Sequence, residues 1–208
     1  MLTPEVALSF FGVAVLLALA PGPDNLFVLM QSAMWGRGSG MFVVLGLCTG
    51  LIGHTVAVAI GLAAVFATSE AAFTMLKLAG ALYLLYLAWQ AFRFKGMDSA
   101  GARPAALGAG QLYRRGIIMN LTNPKVSLFF LAFLPQFTSP ARGSVALQTL
   151  SLGGLFMLST LLVFGLLAWF SGTLGQRMQS SQHAQRILNR IAGAVFVGLA
   201  VKLMMSQR

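Results

Sequence analysis

Six apolar runs, each long enough to cross a bilayer and separated by gaps that hold most of the charge, constrain this chain more than any other feature. They cover roughly residues 5 to 34, 39 to 67, 71 to 92, 115 to 137, 144 to 171 and 187 to 205. About 20 apolar residues suffice to span the hydrocarbon core. Lipid cannot hydrogen-bond a bare backbone, so each span is a helix or a strand of a closed barrel, and runs this long exclude barrel strands. The expected fold is therefore all-α, a polytopic membrane bundle of six transmembrane helices. Composition agrees, since 58% of the 208 residues are hydrophobic and 9% are charged, against about a quarter charged in a soluble domain.

A net charge of +10 would suit a nucleic-acid binder, yet no basic stripe with interleaved aromatics lies outside the apolar runs. The basic residues fill the gaps instead, where they set topology and meet anionic head groups of the lipid bilayer. Arg37 follows the first run; Arg93, Lys95, Arg103, Arg114 and Arg115 lie between the third and fourth; Arg177, Arg186 and Arg190 follow the fifth. The other side holds Arg142, Lys202 and Arg208. Nine against three puts the first group in the cytoplasm and both termini outside, provided that the sixth run spans. The stretch "LALA" ending at Ala20 has the small-residue pattern of a cleavage site, but no Lys or Arg precedes it and Pro21 would follow the cut, so it is expected to stay.

Several chemistries are disfavoured at once. The lone Cys48 excludes an internal disulfide and a redox pair. His54 and His183 lie far apart, one in an apolar run and one in a polar loop, so neither a metal nor another cofactor is expected. One acid within the membrane gives little from which to build an enzyme.

The two halves show a repeat. "KLAGALYLLYLA" from Lys77 and "RIAGAVFVGLAV" from Arg190 share Ala-Gly-Ala at 79 to 81 and 192 to 194, each with a basic residue three positions before the glycine. Each half also opens with a proline-broken run, at "PGPDN" (residues 21 to 25) and at "NPK" (residues 123 to 125). Three helices per half make the second half enter from the opposite side, an inverted repeat of the kind on which many transporters are built. The expected organisation is a first three-helix repeat over 1–95, a cytoplasmic linker over 96–113 and a second repeat over 114–208.

The breaks are where polarity enters the membrane. Pro21, Pro23 and Pro124 each delete a backbone hydrogen bond, and a broken helix is tolerated where it is buried in protein or lines a cavity. Asp24 at one break and Lys125 at the other each cost about 2.5–3.5 kcal/mol on insertion scales. Asp24 lies 13 residues before Arg37 and Lys125 lies 10 after Arg115, about 15–20 Å from the cytoplasmic face of a ~30 Å core. Both charges thus fall near the midplane, where they offset one another. A small zwitterion fits, its carboxylate toward Lys125 and freed N–H groups, its ammonium toward Asp24 and freed carbonyls. The alternative is a pair of kinks whose charges only lock the first helix to the fourth.

"LALAPGPDNLFVL", "GHTVAVAIGLAAV", "LKLAGALYLLYLAWQAFR" and "GIIMNLTNPKVSLFFLAFLPQF" resemble the LysE/RhtB family of amino-acid exporters over nearly the whole chain. The resemblance implies a bacterial inner-membrane protein that exports amino acids such as homoserine, threonine, leucine or lysine against protons moving inward. It marks Pro21, Gly22, Pro23, Asp24 and Asn25 in the first motif, and Asn120, Asn123, Pro124 and Lys125 in the second. Asp at position 24 is closer to the homoserine/threonine branch than to the basic-amino-acid branch.

His54 reads either as a proton-relay partner of Asp24 or as a histidine bonded to a neighbouring helix backbone. Gly46 and Gly50 share a helix face and permit close approach, within the chain or between copies, so a homo-oligomer stays open. Gln31 and Gln136 read as polar lining or as ordinary interhelical partners, and Trp35, Trp89 and Trp169 as an interfacial belt. The function expected is a proton-coupled amino-acid exporter, the alternative a channel or a transporter of another small solute.

Overall fold

A computed structural model describes residues 2–20, 22–68, 70–93, 106–171 and 182–205. Among these the secondary structure is helical, with no strand. In chain order the elements are α1 (Pro4–Leu19), α2 (Pro23–Trp35), α3 (Arg37–Thr68), α4 (Glu70–Arg93), α5 (Ala109–Leu121), α6 (Pro124–Leu128), α7 (Val145–Phe170) and α8 (Gln182–Met205). A π-helical stretch, Phe129–Phe133, and a 3-10 turn, Leu134–Phe137, continue α6. The fourth apolar run was expected as one broken helix to residue 137. Its far end departs from α geometry where Pro135 supplies no amide and the Gln136 side chain donates to the Ala132 carbonyl at 3.2 Å instead.

Over Arg37–Gly61 and Val145–Phe170, α3 and α7 are each long and apolar enough to cross a membrane alone. Two further pairs pass together as broken spans: α1 with α2, bent by 64°, and α5 with the segment Pro124–Phe137, bent by 48°. Their outer surfaces are apolar, as Leu8, Ile60 and Leu147 are 72%, 71% and 64% exposed. Water would penalise such a surface and lipid does not, so the expectation of a membrane protein holds.

The helices pack in exchanged pairs. α5 lies against α3, and α1 lies against α7; α3 contacts α7, and α4 contacts α8. Gly46 and Gly50 serve the first of these pairs within the chain. A Cβ on Gly46 would run into the Tyr113 carbonyl and sit 3.0 Å from the Gly116 Cα, and one on Gly50 would lie 2.7 Å from the Asn120 side chain. Glycine on both sides is what lets the two backbones touch.

Two apolar clusters divide the interior. One gathers Phe10, Leu17, Leu51, Phe129, Phe133, Phe137 and Phe156. The other gathers Ala18, Val28, Val43, Leu47, Leu112 and Phe164. The end of α1 contributes to both, Leu17 and Ala20 to the first and Ala18 to the second.

α5 begins at Ala109, inside the stretch expected as linker. Gln111 Oε1 accepts from the Gly108 amide at 3.0 Å, and Leu112 is buried, so a cap and a core contact together extend the helix toward its N-terminus. Residues 96–105 of that stretch lie outside the described residues.

The α3–α5 contact yields a stability test. Gly46→Val should cost about 1–3 kcal/mol through overpacking, read as a lower melting midpoint in detergent, whereas Gly12→Ala, where nothing lies within 4 Å, should leave it nearly unchanged.

Candidate functional site

The site is built from what two prolines take away. A residue's carbonyl in an α-helix accepts from the amide four positions on, and proline has none. Pro21 therefore frees the Leu17 carbonyl and Pro124 frees the Asn120 carbonyl. Pro21 itself lies outside the described residues, but α1 ends at Leu19 on one side of it and α2 starts at Pro23 on the other. Pro23 and Pro124 are each the first residue of a new helix, a position whose amide would be unpaired in any case. Gly22, between the two helices, is extended with φ −164°. A Cβ there would stand 3.4 Å from Lys125 Nζ, which places the ammonium beside the start of α2.

Each break is then satisfied by the other. Lys125 Nζ donates to the Leu17 carbonyl at 3.2 Å and to the Ala20 carbonyl at 3.1 Å. Asn25 Nδ2 reaches back across its own break to the Ala18 carbonyl at 2.7 Å. In the other direction, Asn123 Nδ2 donates to Asp24 Oδ2 at 2.7 Å, while Asn123 Oδ1 accepts from the Lys125 amide at 2.9 Å and caps α6. The Asn120 carbonyl accepts from the Asn123 amide at 3.1 Å and takes a hydrogen bond with His54 Nε2 at 3.2 Å.

Sequence reasoning paired the two charges with each other. In the structure each bonds neutral groups of the opposite break, because the freed carbonyls lie closest to the ammonium and a carboxamide faces the carboxylate. His54 takes the second of its two expected arrangements, bonding a neighbouring helix backbone, with its ring 5.6 Å from that of Phe130. The crossed bonding was missed from sequence, although the carbonyls four before each proline were a usable signal.

Capacity remains unspent. An ammonium has three donors, and two of those on Lys125 are placed. A carboxylate accepts more bonds than one, and Asp24, 5% exposed, has Asn123 as its hydrogen-bond donor. The buried oxygens Asn25 Oδ1 and Asn120 Oδ1 have no hydrogen-bond partner among the described residues. The N-terminus of α2 has no side-chain cap, so its first amides point into the break. Asn25 and the third donor of Lys125 thus stand at the start of α2 with bonding capacity left, while Asn120 Oδ1 packs against Gly50 of α3. Of the two glutamines, Gln136 bonds the Ala132 carbonyl, while neither amide atom of Gln31 has a partner among the described residues.

Comparison with known proteins gives the chain its relatives. Residues 9–207 match the profile of the LysE type translocator family. The chain is 34% identical over 187 residues to the homoserine/homoserine lactone efflux protein of Salmonella typhimurium, covering 88% of each. It is 33% identical over 200 residues, 96% of each chain, to an uncharacterized membrane protein of Vibrio cholerae. A third, uncharacterized membrane protein YrhP of Bacillus subtilis, is 30% identical over 204 residues, which is 94% of this chain and 96% of that one. No solved structure matches.

The Asn123 side chain serves both breaks, which sets an expected order among its variants. Asn123→Ala should lower stability by about 1–3 kcal/mol, through a lost cap and a buried carboxylate left short of a donor. Asn123→Asp keeps the cap but sets a second carboxylate against Asp24, and at neutral pH should lower the melting midpoint in detergent further than Asn123→Ala does.

Proposed function

The chain belongs to the LysE-type translocator family, and from that premise we propose that it is a secondary transporter exporting small zwitterionic amino acids, homoserine-like in size, from the bacterial cytoplasm in exchange for protons. The observation that carries this reading is the crossed bonding of the two breaks. Asp24 and Lys125 stand at opposite helix starts, each held by the other break and each with bonding capacity to spare. The cargo ammonium docks on Asp24 and the unpartnered oxygen of Asn25. Its carboxylate docks on the third donor of Lys125 and on the uncapped amides of α2, where the helix dipole favours an anion.

The relative from Salmonella typhimurium is named for homoserine and homoserine lactone. Those two molecules share an amino group and differ in that only homoserine has a free carboxylate. The amino group is the constant feature, which agrees with Asp24 as the principal contact and Lys125 as the partner of the open form.

The reading takes six crossings arranged as two inverted three-helix halves, residues 1–95 and 114–208, and the exchanged packing supports it. The first helix of each half lies on the second helix of the other, α1 on α7 and α5 on α3, while α3 with α7 and α4 with α8 meet as equivalent pairs. Such exchange is what a two-fold relation produces. Arg37 stacks on Trp169 at 4.1 Å and Arg93 on Trp89 at 4.6 Å, so the start of α3 and the end of α7 share one face of the bundle. The excess of Lys and Arg makes that face cytoplasmic, with both termini outside.

Transport alternates access to the site by rocking one half against the other. The cluster around Phe10 and Phe137 closes the outer side, and the cluster around Val28 and Leu47 closes the inner side. A proton from outside neutralises Asp24 and releases the ammonium; its loss to the cytoplasm restores the carboxylate for the next cargo.

Reconstituted Asp24→Asn protein should lose acceleration of labelled homoserine efflux by an imposed pH gradient, by about tenfold or more, while retaining some exchange of homoserine for homoserine at raised homoserine concentration. Gradient-driven efflux at the wild-type rate would refute the proton assignment. If the breaks serve only to lock the helices, wild type itself moves no amino acid under either condition.

A further inference from the structure

Gln31 is 1% exposed, and both atoms of its carboxamide lack a hydrogen-bond partner among the described residues. A buried amide that makes none of its bonds is a costly arrangement, and one that persists needs a partner in some working state. Its position says which partner. Gln31 follows Asp24 by seven residues on α2, two turns along the same face, about 10.5 Å on the axis. Val28 stands between them on that face and is fully buried. Side chains on a helix lean toward its N-terminus, at 24 as at 31, so carboxylate and carboxamide stay about two turns apart, a gap of about 10 Å that a short amino acid spans with one hydrogen bond at each end.

We propose that Gln31 is a specificity-determining residue, which reads the side chain of an amino acid whose ammonium rests on Asp24. This deepens the export reading above and rests on it. With the head group at the break, the cargo side chain runs along α2 past Val28, and the carboxamide bonds an oxygen at its end. The ligand class is therefore a small amino acid with a hydrogen-bonding oxygen at the γ position. An apolar isostere fills the same space but leaves the carboxamide unpaired, and sites built to bond a substrate hydroxyl reject analogues that lack it far more strongly than apolar pockets reject a missing methylene.

The test uses the full chain in proteoliposomes and two labelled probes of matched shape, homoserine and norvaline, which differ by hydroxyl against methyl. Wild type should prefer homoserine by at least about tenfold. Gln31→Met, of similar length but without the amide, should bring that preference to within about threefold of unity by gaining norvaline transport. Its melting midpoint in detergent should equal or exceed that of wild type, because an unpaired buried polar group has been removed. Gln31→Leu, shorter and also apolar, should behave alike. An unchanged preference in the variants, or a wild type that moves both probes equally, overturns the proposal. So does a lowered midpoint or an equal loss of both probes, since either marks Gln31 as structural. A wild type that moves neither probe sinks the export reading instead, and the proposal falls with it.

Discussion

Two missing amides organise this protein. Pro21 and Pro124 each leave a carbonyl four residues earlier without its helical partner, in a region where neither lipid nor bulk water can supply one. The chain answers with polar side chains that would be unaffordable elsewhere in the membrane. Lys125 covers the carbonyls of Leu17 and Ala20, Asn25 covers that of Ala18, and His54 and the Asn123 amide converge on that of Asn120. Placing an ammonium there calls for a nearby counter-charge, which Asp24 provides. Asp24 in turn is held by Asn123, the residue that caps α6. The polar centre is thus a closed chain of consequences that begins with two ring nitrogens.

Apolar packing borders that centre. Leu17 and Ala20 belong to the phenylalanine-rich cluster, in which the Phe10 and Phe137 rings lie 5.2 Å apart and nearly perpendicular, and Ala18 belongs to the other. Low polarity around the breaks strengthens every bond within them. It also makes the surrounding packing a barrier to any charged solute. The glycine contact of α3 with α5 holds those two helices backbone to backbone beside that centre.

Much of this was legible in the sequence. The apolar runs marked where the helices lie and their rough extent, since only helices can carry such runs through lipid. The proline clusters located both breaks, and Asp24 and Lys125 stood out because charge is so rare within the runs. What the sequence did not disclose was partnership. It invited the pairing of Asp24 with Lys125, because opposite charges at equal depth are the simplest match, and the backbone carbonyls that win the ammonium are invisible in a list of side chains. It also read residues 109–113 as linker, since Gly and Ala mask a helix start that depends on Gln111 capping Gly108 and on the buried Leu112. The orphaned amide of Gln31 was legible only once its surroundings were known.

The central claim is that one site between the two breaks holds both ends of a zwitterion. Equilibrium competition against labelled homoserine on the purified protein tests it directly, using 3-aminopropanol, which lacks the carboxylate, and 4-hydroxybutanoate, which lacks the ammonium. The account predicts saturable binding of homoserine, with each analogue competing about tenfold or more weakly, a difference of about 1.4 kcal/mol per missing charge. Absence of saturable binding, or either analogue competing as well as homoserine itself, would contradict it.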